Sequence, residues 1–295
     1  MTVPGALRRT LPLDDLGTAV PLPARVSRVV SLVPSLTEAI AVSYPDLLVG
    51  ATEWCTHPTD LDVRRVRGTK NPDCKAIIGL APDLVVAAME ENRELDVHRL
   101  REAGIAVWVT RIESVPQALA SMRRLFEEGL GQPSPPWLLE AEDEWLSPVE
   151  PLGIRAAVAI WRDPWMVVGH STFAGDVVSR IGLTHAFADH ADRYPAVTVA
   201  ELTAGEIDVV LLPDEPYVFS ADDGPEALAP TPTVLLSGRL LTWYGPSLCG
   251  ARSALRTVVG DVGGRHDALV ESHADVAHVD SARAAGRESG HVGEH

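Results

Sequence analysis

Residues 83–109, DLVVAAMEENRELDVHRLREAGIAVWV, decide the fold. Residues 84–88 are apolar without a polar partner at alternate positions, which predicts a strand covered on both faces, as in a parallel sheet. Residues 92–103 carry apolar side chains at helical spacing and stop at Gly104, a residue suited to ending a helix. Residues 105–109 are apolar again. Strand, helix and strand in so short a span make a right-handed βαβ unit.

The same grammar extends both ways. Upstream, residues 28–33 form a β-branched run ended by Pro34, with Ser35 placed as a helix N-cap and Glu38 at the capping-box position. Residues 47–51 are the next strand and 73–80 the next helix. Residues 10–23 alternate around Asp15-Leu16-Gly17, a hairpin signal. Downstream, a helix from Ser114 to about residue 128 is interrupted by GLGQPSPP (129–136) and resumes over 137–146. A second series follows: strand 155–161, helix 171–181, strands 208–212 and 233–236, and a last helix over 248–259. The fold class is therefore α/β, two Rossmann-like lobes joined by a bridging backbone helix, with a ligand cleft expected between the lobes. An N-terminal extension and hairpin fill 1–23, the lobes 24–112 and 151–262, the bridging helices 113–150. Residues 263–295 lack large apolar side chains and are expected to form a disordered tail, in which five of the ten histidines lie.

Composition narrows the function. Acidic residues number 41 against 25 basic, a net charge of −16, which repels phosphate backbones and excludes nucleic acid as a partner. Cys55, Cys74 and Cys249 are too few and too scattered for a disulfide framework. There is no membrane span, and MTVPGALRRT at the start contains no apolar signal region, so the chain as written is expected in the cytoplasm, as a monomer. A start site further upstream would make it extracytoplasmic.

Seven Trp against four Phe is a skewed choice. Trp54, Trp161, Trp165 and Trp243 fall at strand-to-loop junctions, where α/β sheets hold ligands, and indoles suit a broad, flat, partly polar guest. Cys55 and His57 are a soft and a borderline metal ligand on one side of an extended segment, short of the four a structural zinc takes. Arg162, followed by Asp163 and Pro164, is suited to orienting a carboxylate or amide; an ion pair within its lobe is the alternative. Glu90 and Glu91 follow one strand, Asp214 and Glu215 its counterpart in the second half, either as cleft residues or as solvated charge. Asn71, Tyr217 and Tyr244 offer polar tips to the same cleft.

Several segments resemble the helical-backbone (class III) substrate-binding proteins of ABC importers, the cobalamin and ferric-siderophore receptor family. They are residues 15–39, EWCTHP (53–58), GTKNP (68–72), APDLVV (81–86), EENR (90–93), WRDPWMVVG (161–169), LLPDEPY (211–217) and LTWYGPS (241–247). The resemblance covers roughly residues 10–260. It implies a non-enzymatic protein holding a metal chelate, cobalamin-like or ferric siderophore-like, without a covalent cofactor. It also implies an ABC permease as partner, with Glu90 and Glu215 as its docking carboxylates. Two other readings stand beside it. One is a cytoplasmic sensor or carrier on the same fold. The other is a serine hydrolase, since Gly169-His170-Ser171 follows a strand and precedes a helix, with Asp208 or Asp214 and His266 further on; Phe173 stands where that elbow needs glycine.

Overall fold

The computed structural model describes residues 10–260. The first lobe is built as β1 (Val29–Ser31), α1 (Pro34–Ser43), β2 (Leu48–Ala51), β3 (Arg64–Arg65), the small hairpin β4 (Arg67–Gly68) and β5 (Asn71–Pro72), α2 (Cys74–Gly79), β6 (Leu84–Ala88), α3 (Glu94–Glu102) and β7 (Val107–Thr110). Its sheet has the order β3-β2-β1-β6-β7 with every neighbour parallel. The bridge is α4 (Val115–Arg124), a π-helical turn over Leu125–Gly129, and α5 (Pro136–Leu146). It is two packed helices rather than one continuous rod, because the Pro-rich segment before α5 lacks the N–H groups that a helix interior needs. The second lobe contains β8 (Arg155–Trp161), β9 (Met166–Val167), α6 (Phe173–Arg180), β10 (Thr184–His185), α7 (Val199–Leu202), β11 (Val209–Pro213), α8 (Pro225–Leu228), β12 (Thr233–Leu236), α9 (Arg239–Thr242) and a last helix over 251–260. Its parallel order is β10-β8-β11-β12, with β9 antiparallel on β8.

Strand alternation sorts the apolar residues between two faces. Val29, Leu84, Val86, Ala156, Val158, Val209 and Leu211 point into one large core, which also takes Met122 and Trp145 from the bridge and so runs through both lobes. The opposite faces, Val30, Val85 and Ala87 in one lobe and Ala157, Val210 and Leu212 in the other, pack separate smaller cores. Each sheet is thus covered on both sides, as the unbroken apolar runs require. The lobes share a core and are not independent beads.

The expected hairpin is a tight loop with a single bridge, Leu13 to Ala19, turning at Gly17 with φ of 75°. It is stapled to the first lobe by Asp14 on Arg101 at 2.8 Å and to the bridge by Asp15 on Arg124 at 2.8 Å. One expected start is corrected. Val33, not Ser35, occupies the N-cap of α1 with no side-chain bond, since Pro34 already sits at the first helical position. Glu38 is no capping-box residue; it is buried and pairs with Arg239 of the second lobe. The tail, with His266, lies outside the described residues.

Candidate functional site

In each sheet the chain order reverses once, between β1 and β6 and between β8 and β11. Ligands in α/β sheets lie beyond the carboxyl ends of the strands at such reversals. Here those ends face each other. A groove of about 480 Å³ opens between them, with His57 on the first lobe's wall and Asp214, Glu215, Val218, Ser237, Arg239 and Trp243 on the second's.

Trp243 anchors the groove. Its indole Nε1 donates to Glu215 Oε1 at 2.6 Å, the Thr242 hydroxyl donates to the same oxygen at 3.1 Å, and His57 meets the ring edge-on at a centroid distance of 5.3 Å. The Arg239 guanidinium lies over the ring, 5.5 Å from its centroid, while bonding to Glu38. Gly238 permits this arrangement: a Cβ there would come within 2.8 Å of the Glu215 carbonyl oxygen. Tyr244 turns away into the shared core against Phe173, 5.6 Å between centroids, and burial drives its phenol pKa upward.

Glu91, three residues beyond β6, is the most perturbed acid near the seam between the lobes. Burial, with Glu90 and Glu215 nearby, lifts its pKa from 4.5 to about 7, against an opposing pull from Lys70. Among the described residues no hydrogen-bond donor reaches its carboxylate. A folded-state pKa raised above the unfolded value means that the folded chain holds the proton more tightly, so stability is full below about pH 4.5 and is lost as pH rises through about 7. Glu91→Gln keeps the neutral shape and is expected to raise stability by about 2 kcal/mol at pH 8, with no gain at pH 4. Thermal unfolding of both proteins across that pH range measures the difference.

Glu90 is exposed and Glu215 half-buried, and both carboxylates have partners within the protein. Glu90 crosses the seam to Arg193 at 3.0 Å and accepts a hydrogen bond from the Tyr194 hydroxyl, while Glu215 is held by Trp243 and Thr242. Cys55 and His57 do not share a metal. The 52–56 segment is a turn, with Cys55 N on Thr52 O and Thr56 N on Trp54 O, so the alternation of an extended strand does not apply. Cys55 points inward to Thr37 and Thr52, where burial pushes its thiol pKa up, and among the described residues no cluster of three metal-ligating side chains occurs. Trp165 is also displaced from its expected place: it stacks on Phe219 in the second lobe's own core. Arg162 is committed to Asp223 and Glu226 beside that ring, and Tyr217 to Asp223 at 2.7 Å. Trp54 and Trp161 remain exposed, at 67% and 45%, and Asn71 is exposed on the β4–β5 hairpin beside Trp54 and Gly68.

A second cavity, about 200 Å³, surrounds Ser171, which is exposed at φ 51° before α6. Thr172, not Ser171, caps that helix, accepting from Gly175 N. The ring of His185 is bonded through Nε2 to the Val168 carbonyl, Asp208 to Arg155 N, and Asp214 to Gly238 N. No triad converges on Ser171 among the described residues. Arg193, Tyr194 and Arg239 complete the seam from outside every quoted motif, with Glu38 in a role other than the cap its spacing suggests; only the position of Arg239, two residues before LTWYGPS, hinted at a role.

Two α/β lobes joined by a helical bridge, their switch points opposed across a groove, make the two-lobed fold of the helical-backbone (class III) periplasmic binding proteins, and the chain has that fold. No family model matches the chain. The vitamin B12-binding protein of Vibrio cholerae is 24% identical over 202 residues, 65% of this chain and 71% of that one. The solved periplasmic vitamin B12-binding protein of Vibrio cholerae aligns with TM-score 0.66 and 20% identity, covering 81% of this chain and 99% of its own. The periplasmic heme-binding protein of Roseiflexus sp. RS-1, in apo form, gives 0.66 and 20% over the same shares. Both neighbours are periplasmic, which runs against the cytoplasmic location expected from the sequence.

Proposed function

We propose that the chain is the binding component of an ABC importer for a metal chelate, cobalamin-like or ferric siderophore-like, held in the interlobe groove, and that it works outside the cytoplasm with a permease. One observation carries the reading. Four large apolar side chains stand exposed at the carboxyl ends of β2, β6, β8 and β11, two from each lobe: Trp161 as the last residue of β8, and Trp54, Met89 and Val218 on the loops that follow the other three strands. Apolar surface left open on opposed lips marks a place where something apolar and broad docks. The similarity to vitamin B12- and heme-binding proteins supports the same class of guest.

Intrinsic tryptophan fluorescence tests it. Titration with cobalamin, cobinamide, haem and ferric siderophores is expected to quench the emission saturably for at least one of them. Trp54→Ala and Trp161→Ala, each truncating an exposed lip, are expected to weaken that affinity about tenfold without lowering the melting temperature appreciably. Absence of binding across the whole panel refutes the chelate assignment.

A further inference from the structure

We propose that residues 186–197, the loop between β10 and α7, are a strap that gates the seam between the lobes: fastened, it leaves the groove alone open, and released, it admits a guest broad enough to touch all four exposed lips. The proposal deepens the chelate-binding reading and rests on it. The sheet orders place the strap. Along β3-β2-β1-β6-β7 and β10-β8-β11-β12, the groove belongs to the loops after β2, β11 and β12. The other flank of the seam belongs to the loops after β6, β7 and β10, and there the strap crosses it. Arg193 Nη2 donates to Glu90 Oε2 at 3.0 Å and Nη1 to Glu113 Oε1 at 2.7 Å, and the Tyr194 hydroxyl donates to Glu90. Met89, one of the four lips, is the chain neighbour of the clasped Glu90. A guest that spreads from the groove to Met89 has to pass the clasp.

The strap is fixed to one lobe and only fastened to the other. Its own lobe holds it by backbone: Ala186 N donates to Ala156 O at 2.8 Å, Gly169 N to Arg193 O at 2.8 Å, Val167 N to Pro195 O at 3.0 Å and Val197 N to Trp165 O at 2.9 Å. Phe187 and Val197 pack into the second lobe's smaller core. Gly169 is the seat, since a Cβ there would come within 2.4 Å of the Asp192 carbonyl oxygen. Among the described residues, the strap's hydrogen bonds to the first lobe and the bridge run through side chains alone, and those of Arg193, Glu90 and Glu113 are all partly exposed. Ion pairs in contact with water contribute little and weaken with salt. The room behind the clasp is there to be used. The 200 Å³ cavity has Ala188 of the strap and Glu113 of the clasp in its wall, so freeing Arg193 from Glu113 loosens that wall. The groove itself, about 480 Å³, lies in the lower half of the roughly 300–1,000 Å³ that ligand sites span.

Stopped-flow tryptophan quenching tests the gate, with cobinamide and haem as broad macrocyclic probes on the full chain. Arg193→Gln combined with Tyr194→Phe unfastens the clasp and keeps most side-chain bulk, while Gly169→Ala unseats the strap from its own lobe. Circular dichroism confirms that both variants are folded. Both are expected to bind the macrocycles about fivefold faster than wild type. Raising the salt from about 0.05 M to about 0.5 M should speed cobinamide association with wild type and leave the double variant's rate unchanged, since only the wild type has a clasp to screen. A readout without ligand accompanies these rates: amide exchange at Gly169, whose N–H donates to the strap, is expected to quicken in the double variant. Association at the wild-type rate in both variants, or Gly169 exchange no faster than in wild type, overturns the gate and leaves the chelate reading standing. Macrocycles that bind neither wild type nor variants also overturn it, and the ferric siderophores of the fluorescence panel then decide the chelate reading by themselves.

Discussion

Replacing Trp145 with alanine is expected to cost about 4 kcal/mol of stability, the largest loss of any single substitution considered for this chain. Trp145 lies near the end of α5, is fully buried, and donates its indole N–H to the Leu248 carbonyl at 2.9 Å. It belongs to the core that also contains Val29 and Trp108 from the first lobe and Val158 and Leu255 from the second. Truncation leaves a cavity where two sheets and the bridge converge, and strands a buried carbonyl without its donor. Both penalties act together. Because the core is shared, the loss should appear as one cooperative transition moved to lower urea, not as the melting of one lobe alone. Trp145→Phe, which keeps most of the ring and loses the N–H, is expected to cost about half as much. A loss under about 1 kcal/mol for the alanine variant would mean that the lobes do not depend on the bridge for their packing.

How much of this was legible in the sequence depends on how local each feature is. The βα alternation was, because residues 84–88 and 209–212 are apolar at every position and their neighbours cap and stop at polar residues, Gly or Pro. The helices and strands that the spacing predicts fall within about three residues of expectation, strand 155–161 without any shift, while the short β3, β4, β5, β9, β10, α7, α8 and α9 have no periodic signal and were not expected. Acids following equivalent strands were also visible, and Asp214 and Glu215, after β11, line the groove. What the sequence hid is pairing at long range. Glu38 and Arg239 are 201 residues apart, and a Glu three residues after Ser35 reads as a cap unless the distant arginine is known. Trp165 has an apolar partner, Phe219, in a loop with no periodicity of its own, so its burial left no trace in spacing. Cys55 and His57 misled for a local reason: alternation presumes an extended backbone, and a turn at Thr52 rotates the thiol inward.

The Glu38–Arg239 pair yields the second large effect, a loss of about 3 kcal/mol on Glu38→Leu. Glu38 is only 3% exposed and its partner comes from the opposite lobe, so the carboxylate is desolvated and has one cation to justify it. Removing it leaves the half-buried Arg239 guanidinium on the groove without its carboxylate partner. Removing one charge from a buried pair costs more than removing both, because an uncompensated ion is what the interior tolerates least. The double variant Glu38→Leu with Arg239→Leu is therefore expected within about 1 kcal/mol of wild type, a strongly non-additive result in a double-mutant cycle. Additive costs would show that the two groups do not stabilise one another. Ligand binding separates stability from function in the same variants. Arg239 lies over the Trp243 ring and lines the groove, so the double variant should regain stability and still bind its chelate more weakly than wild type. A double variant with full stability and full affinity would leave Arg239 as a strut across the seam with no part in shaping the groove.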